Sequence, residues 1–209
     1  MNVPYPPAVL PPVRTVTLQR GTPVWRIHHG SRRADAPNST PQPAVGSGGR
    51  FDSSDGRYAY LYVADSPEGA VAETLCRDLP IDRSPRLIPA ARIRNRVMSE
   101  LVVQDDLVVA DITGSGSAQI NAGSWLTHCG PDDYVQTRAW AVRILESDGA
   151  LRGIRYRPRH DDNRLAWMLC ARAGAIVALA TSGRVYALDS PQGRTVLAPI
   201  LAGHNAALR

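Results

Sequence analysis

Apolar and polar residues alternate along Val24–His28, so that Val24, Arg26 and His28 share one face of a predicted strand and Trp25 and Ile27 the other. Ala59–Ala64 (AYLYVA) is a second β-type run, and a helix start follows it: Ser66 as N-cap, Pro67 at the first position, Glu68 in the first turn. That helix is predicted to reach about Leu79, with Ala70, Val71, Leu75 and Leu79 inward and Pro80 as its stop. Two β-like stretches lie between Arg92 and Ile112. Pro131-Asp132-Asp133 opens a second helix with Tyr134, Thr137, Trp140, Ala141 and Ile144 on one stripe. Gly153–Tyr156 and Leu165–Leu169 read as strands. Ala175–Ala180 and Arg184–Leu188 read as a hairpin turning at Thr181-Ser182-Gly183, and Thr195–Leu201 as a last helix. Strands and helices mix without regular βαβ alternation, which predicts an α+β fold.

Between these elements the pattern fades in two places. Residues 1–20 are an extended, Pro-rich lead-in without the basic start and apolar stretch of a signal peptide, and residues 21–209 are expected to form one domain. Residues 30–57 carry no apolar period; a loop that long is usually either functional or disordered, and one available role is a lid over a ligand. Gly114-Ser115-Gly116-Ser117 lacks the rest of a phosphate loop and reads as a flexible turn.

Composition narrows the chemistry. All 24 basic residues are arginine, which removes Schiff-base lysine, P-loop lysine and the Ser-Lys dyad. Arginine is then the only fixed cation for a phosphate, which it can grip bidentately. Cys76, Cys129 and Cys170 show no CxxC spacing and the histidines no HExxH pair, so neither a disulfide framework nor a metal site is expected. The net charge is +5, but the arginines are scattered among acids and only 6% of residues are aromatic, so no direct nucleic-acid surface is expected. The longest apolar run is Ala175–Ala180, far short of a membrane span, and a soluble cytoplasmic protein is the expectation.

Four side chains stand out against this background. Arg26 lies in a strand otherwise built from apolar residues and histidines, and a buried guanidinium needs an anion. Arg50 follows two glycines, which permit close backbone approach to a bulky ligand. Tyr62 lies on the second strand and Glu73 on the helix after it. Plainer readings stay open for three of them: Arg26 as a structural ion-pair partner, Tyr62 as a core aromatic, Glu73 as a solvated helix residue.

The stretch Tyr62-Val63-Ala64-Asp65-Ser66-Pro67-Glu68-Gly69-Ala70-Val71-Ala72-Glu73, with Gly49-Arg50-Phe51 upstream and Trp25-Arg26 before it, resembles the RES family, the toxin half of bacterial toxin–antitoxin pairs. Asp111-Ile112-Thr113, the helix from Asp133 to Ala141 and Gly153-Ile154-Arg155-Tyr156 resemble the family's later blocks. The resemblance implies a single compact α+β domain related to the ADP-ribosyltransferases, with mixed sheets and packed helices. It also implies an enzyme that takes NAD as substrate without a metal, and a cognate antitoxin as partner.

Carried over residue by residue, Arg26 and Arg50 fall on the family's arginines, Tyr62 on its tyrosine and Glu73 on its glutamate. Glu73, Arg26 and Tyr62 are thereby the catalytic candidates; Arg26, Arg50, Tyr62, Glu73 and Arg157 are the NAD-binding candidates. Breaking the nicotinamide–ribose bond builds positive charge on the sugar, which a carboxylate can stabilise. Hydrolysis and phosphorolysis are both implied, with inorganic phosphate the co-substrate of the second. One position departs: Pro158 stands where the family has a serine, and proline offers neither hydroxyl nor amide donor. Arg157, Arg159 or His160 can take over that contact, the alignment can be shifted by a residue or two, or the site can bind without turnover. The rival readings are accordingly a catalytically impaired nucleotide-binding module and an ADP-ribosyltransferase acting on a macromolecule.

Overall fold

A computed structural model describes residues 5–171 and 179–209. In chain order the elements are β1 (Thr15–Leu18), β2 (Pro23–His29), β3 (Ala59–Ala64), α1 (Pro67–Thr74), β4 (Arg86–Ile88), β5 (Arg96–Val103), β6 (Leu107–Asp111) and α2 (Ser115–Gln119). There follow α3 (Trp125–His128), α4 (Tyr134–Glu146), β7 (Gly153–Tyr156), β8 (Ala166–Ala171), β9 (Leu179–Ala187), α5 (Pro191–Gly203) and β10 (Ala206–Leu208).

Ser-Pro pairs start both α1 and α5. Ser66 and Ser190 each accept the amide of the residue three positions on, Gly69 and Gly193, at 3.0 Å, and the proline sits where no amide bond is needed. The second pair carries α5 four residues upstream of its expected start. The helix after Ser66 ends at Thr74 instead of Leu79; Leu75 and Leu79 still reach the core through the turns that follow. The α4 stripe is buried at every expected position.

Eight strands form one sheet in the order β1-β6-β7-β8-β3-β2-β5-β9, antiparallel except for β6 beside β7, while β10 pairs with β4 in a parallel ribbon. The Pro-rich lead-in contributes its last residues to the sheet as edge strand β1. One sheet face packs on helices. Tyr60, Ile154, Tyr156 and Met168 meet Trp140, Ala141 and Ile144 of α4, and Trp25, Ile27 and Met98 meet α1 and α5. The other face packs on itself: Leu18 of β1 and Leu179 of β9, at opposite edges of the sheet, join one cluster with Val24, Leu61, Leu101 and Trp167. The sheet therefore curls around this second core with its helices outside.

Two expectations fail here. Thr181-Ser182-Gly183 is not a turn, because β9 runs straight through it beside β5. The turn-type residues serve a bulge between Ser99 and Leu101: Ser182 and Arg184 both reach the buried Glu100 carboxylate, and Gly183 takes a positive φ of 96°. The first arm of the expected hairpin falls largely on residues outside those described. Gly114-Ser115-Gly116-Ser117 is likewise no flexible turn. It opens α2, and a side chain on Gly116 would strike the Asp111 carbonyl, 2.1 Å from where a Cβ would stand.

Candidate active site

The sheet splits at its centre. β2 and β3 are neighbours, yet they pair only at Trp25 and Ala64. Further along, Asn38 from the long loop takes the place of a strand and exchanges two main-chain bonds with Tyr60, at 2.6 and 2.9 Å. Between these closures lies a cleft of about 530 Å³ lined by Arg26 and His28 of β2, Tyr60 and Tyr62 of β3, Glu73 of α1, and loop residues including Arg32, Gly49 and Asp52. Arg26 shares a face with Val24 and the inner core, whereas Tyr62 shares one with Tyr60 on the helix side. Only the split lets side chains from opposite faces line one cavity.

Glu73 sits on the cleft floor, 6% exposed. Burial raises its carboxyl above the usual range, and the nearby Arg50 and Arg77 guanidinium groups oppose that rise. The Tyr156 phenol lies beside it. Tyr62 is half-buried with its hydroxyl fully engaged: it donates to Asp52 Oδ1 at 2.7 Å and accepts the Phe51 amide at 2.9 Å. Burial pushes that phenol well above its usual value. Arg26 donates through one nitrogen to the Ala34 and Ala36 carbonyls, at 2.6 and 2.8 Å, and forms no ion pair among the described residues. Burial, followed by repulsion from Arg32, lowers it to about 10. His28 donates from Nδ1 to the His29 carbonyl and accepts at Nε2 from Ser99, and burial keeps it neutral by lowering its pKa.

The structure thus brings Arg26, Tyr62 and Glu73 together and leaves Arg50 and Arg157 out of the cleft. Arg50 is fully buried behind the floor. One nitrogen donates to the Cys129 carbonyl at 3.1 Å and lies 3.1 Å from Cys129 Sγ, and the group sits over the Tyr134 ring. Its reach towards the cleft is electrostatic, through Glu73. Arg157 faces a separate small pocket with His128 and Asp162 and is tied to the Asp162 carbonyl. Pro158 is buried, and its carbonyl accepts the Asp161 amide at 3.1 Å.

The glycines before Arg50 make room for the protein's own side chains. A Cβ on Gly49 would stand 2.6 Å from Asp52 Oδ1 and 2.7 Å from the Tyr62 hydroxyl, and Gly48 has a positive φ of 70°. Sequence reasoning missed Asp52, whose Oδ2 also accepts the Gly49 amide at 2.6 Å. It missed Arg77 too, which lines the cleft; its spacing of four from Glu73 is the one signal that pointed to it. Nothing in the sequence flagged Arg138, the buried α4 residue that holds the loop by the carbonyls of Gly49, Gln42, Ala44 and Ser47.

Residues 23–189 match the RES domain. The chain belongs to the RES domain family. At the level of that family, RES toxins are NAD-cleaving enzymes. No curated protein gives a significant match. Among solved structures, a chain in the crystal structure of the M. tuberculosis MbcT–MbcA toxin–antitoxin complex is similar. It has a TM-score of 0.52 and 15% identity, over 81% of this chain and 85% of that one. That likeness shows a shared fold, in keeping with the single α+β domain of mixed sheet and packed helices that the resemblance implied. Among the described residues of this RES domain, no His, Cys, Asp and Glu cluster is fit to hold a metal ion, and no helix is long and apolar enough to cross a membrane.

Proposed function

We propose that this RES domain cleaves the nicotinamide–ribose bond of NAD, with Glu73 facing the ribose. One juxtaposition supports the reading: a buried carboxylate in a cleft lined by four arginines, of which Arg26, Arg32 and Arg96 have no carboxylate partner among the described residues and Arg77 has Asp78. The cleft volume lies within the span of small-molecule sites, about 300–1,000 Å³. Arg26 and Arg77 neutralise the pyrophosphate, and the flat face of Tyr62 packs on the nicotinamide or the sugar.

As the C1′–N bond lengthens, nicotinamide leaves with the bonding pair and positive charge gathers on the ribose, where ionised Glu73 offsets it. An oxygen of water or phosphate then bonds to C1′, and a water nucleophile gives its proton to solvent. Arg50 acts from behind, keeping Glu73 ionised in spite of its burial. Pro158 removes the family serine but leaves this constellation in place. In the cell the domain acts as a toxin on the cytoplasmic NAD pool and is held in check by an antitoxin partner.

The test is nicotinamide release from NAD, followed by chromatography with and without inorganic phosphate. Glu73→Gln is expected to lower the rate about 100-fold or more. Release that needs phosphate identifies phosphorolysis, and phosphate-independent release identifies water or a macromolecule as acceptor, the latter leaving label on protein. If folded wild-type protein releases no nicotinamide in either buffer, the reading fails and the impaired binding module replaces it.

A further inference from the structure

The cleft is lined by more arginines than carboxylates. Arg26, Arg32, Arg77 and Arg96 all line it. Arg77 is paired with Asp78, but Arg26, Arg32 and Arg96 form no ion pair among the described residues. The lining carboxylates leave nothing over. Glu73 is on the floor, and both Asp52 oxygens are taken, by Tyr62 and by the Gly49 amide. In doubly wound dinucleotide-binding folds a carboxylate takes the ribose 2′-hydroxyl of NAD, whereas an arginine in that place accommodates the 2′-phosphate of NADP.

The two outer arginines are held in place. Arg26 grips the Ala34 and Ala36 carbonyls and so fixes the turn that carries Arg32; the Arg32 amide bonds to the His29 carbonyl at 3.0 Å and its side chain to Asn38 Oδ1 at 3.0 Å. Arg96 is set by β5, directly opposite His29. Both border His28, whose imidazole feels the Arg96 charge and lies near the Arg32 main chain. Burial, then the neighbouring Arg92 and Arg77, lower the Arg96 pKa, although Asp78 pairs with both of those neighbours.

We infer that Arg32 and Arg96 form a subsite for a phosphate dianion at the cleft mouth, beyond the pyrophosphate position. The inference rests on the proposed dinucleotide reading only for the source of that phosphate, which is either the 2′-phosphate of NADP or free inorganic phosphate.

Equilibrium binding of three probes to the full chain tests it: adenosine 2′,5′-bisphosphate, AMP and inorganic phosphate. They are compared in wild type, in Arg32→Gln with Arg96→Gln, and in the exposed control Arg83→Gln. If the 2′-phosphate is the ligand, the bisphosphate binds about tenfold or more tighter than AMP and the double variant loses that preference. If free phosphate is the ligand, AMP and bisphosphate bind alike while inorganic phosphate binds wild type and about tenfold more weakly to the double variant. The subsite is overturned if wild type shows neither behaviour, or if the double variant changes no more than Arg83→Gln. No probe contains nicotinamide, so a domain that binds phosphate in this way and releases no nicotinamide refutes the cleavage reading alone.

Discussion

Two buried arginines grip the same long loop, and only one of them faces the cleft. Arg138, on α4, spreads its guanidinium over the carbonyls of residues 42, 44, 47 and 49 and is 1% exposed. Arg26, on β2, gives one nitrogen to the carbonyls of residues 34 and 36 and still lines the cavity. Four carbonyls take four of the five N–H donors of Arg138 without neutralising it, and burial keeps a ligand from the rest. Burial of an arginine is therefore no sign of a ligand site in itself; what matters is how many of its donors the fold has already used.

The comparison can be broken most directly by truncating both residues. Arg138→Ala removes the bonds that tie the loop to α4 and empties the space of a buried side chain, and is expected to cost about 3–4 kcal/mol, read as a fall in the urea midpoint. Arg26→Ala is expected to cost only about 1–2 kcal/mol while removing nicotinamide release. Equal losses of stability would erase the distinction. Next in size, Gly49→Ala is expected to cost about 1–3 kcal/mol and to weaken NAD binding, because its Cβ must displace Tyr62 or Asp52. An unchanged affinity would show that the Tyr62–Asp52 bond does not shape the site.

The smallest effect sharpens the role of Arg50. Burial raises the Glu73 carboxyl above its usual 4.5 and Arg50 opposes the rise, so the acid limb of kcat/KM is expected above pH 4.5. Removing the cation in Arg50→Gln should move that limb to still higher pH, whereas Arg50→Lys should restore it. A limb that stays in place would leave Arg50 a packing role alone.

Much of this molecule was legible before folding. The α4 stripe, the strand at Gly153–Tyr156 and the Ser66 cap follow from local preferences that the tertiary structure did not override. Ser190-Pro191 carries the same cap signal, and α5 starts there, four residues before the start that the apolar pattern predicts. Arg26 could be named as a charge within an otherwise apolar strand, whereas Tyr62 and Glu73 could be named through the resemblance of Tyr62–Glu73 to the family's pattern. Arg50 could be named but not placed, since a loop without period gives no direction to its side chains.

The sequence by itself determined most element types, the all-arginine chemistry and the position of Arg26 in an apolar strand, because these depend on neighbours a few positions away. Only the tertiary structure decided that β2 and β3 part after a single pair, that Asn38 closes the gap, and that Gly48 and Gly49 make room for Asp52 and Tyr62. It also decided that turn residues at 181–183 would serve a bulge. Each of these turns on which chain segment fills the space beside a strand edge, and that is settled by packing between residues tens of positions apart.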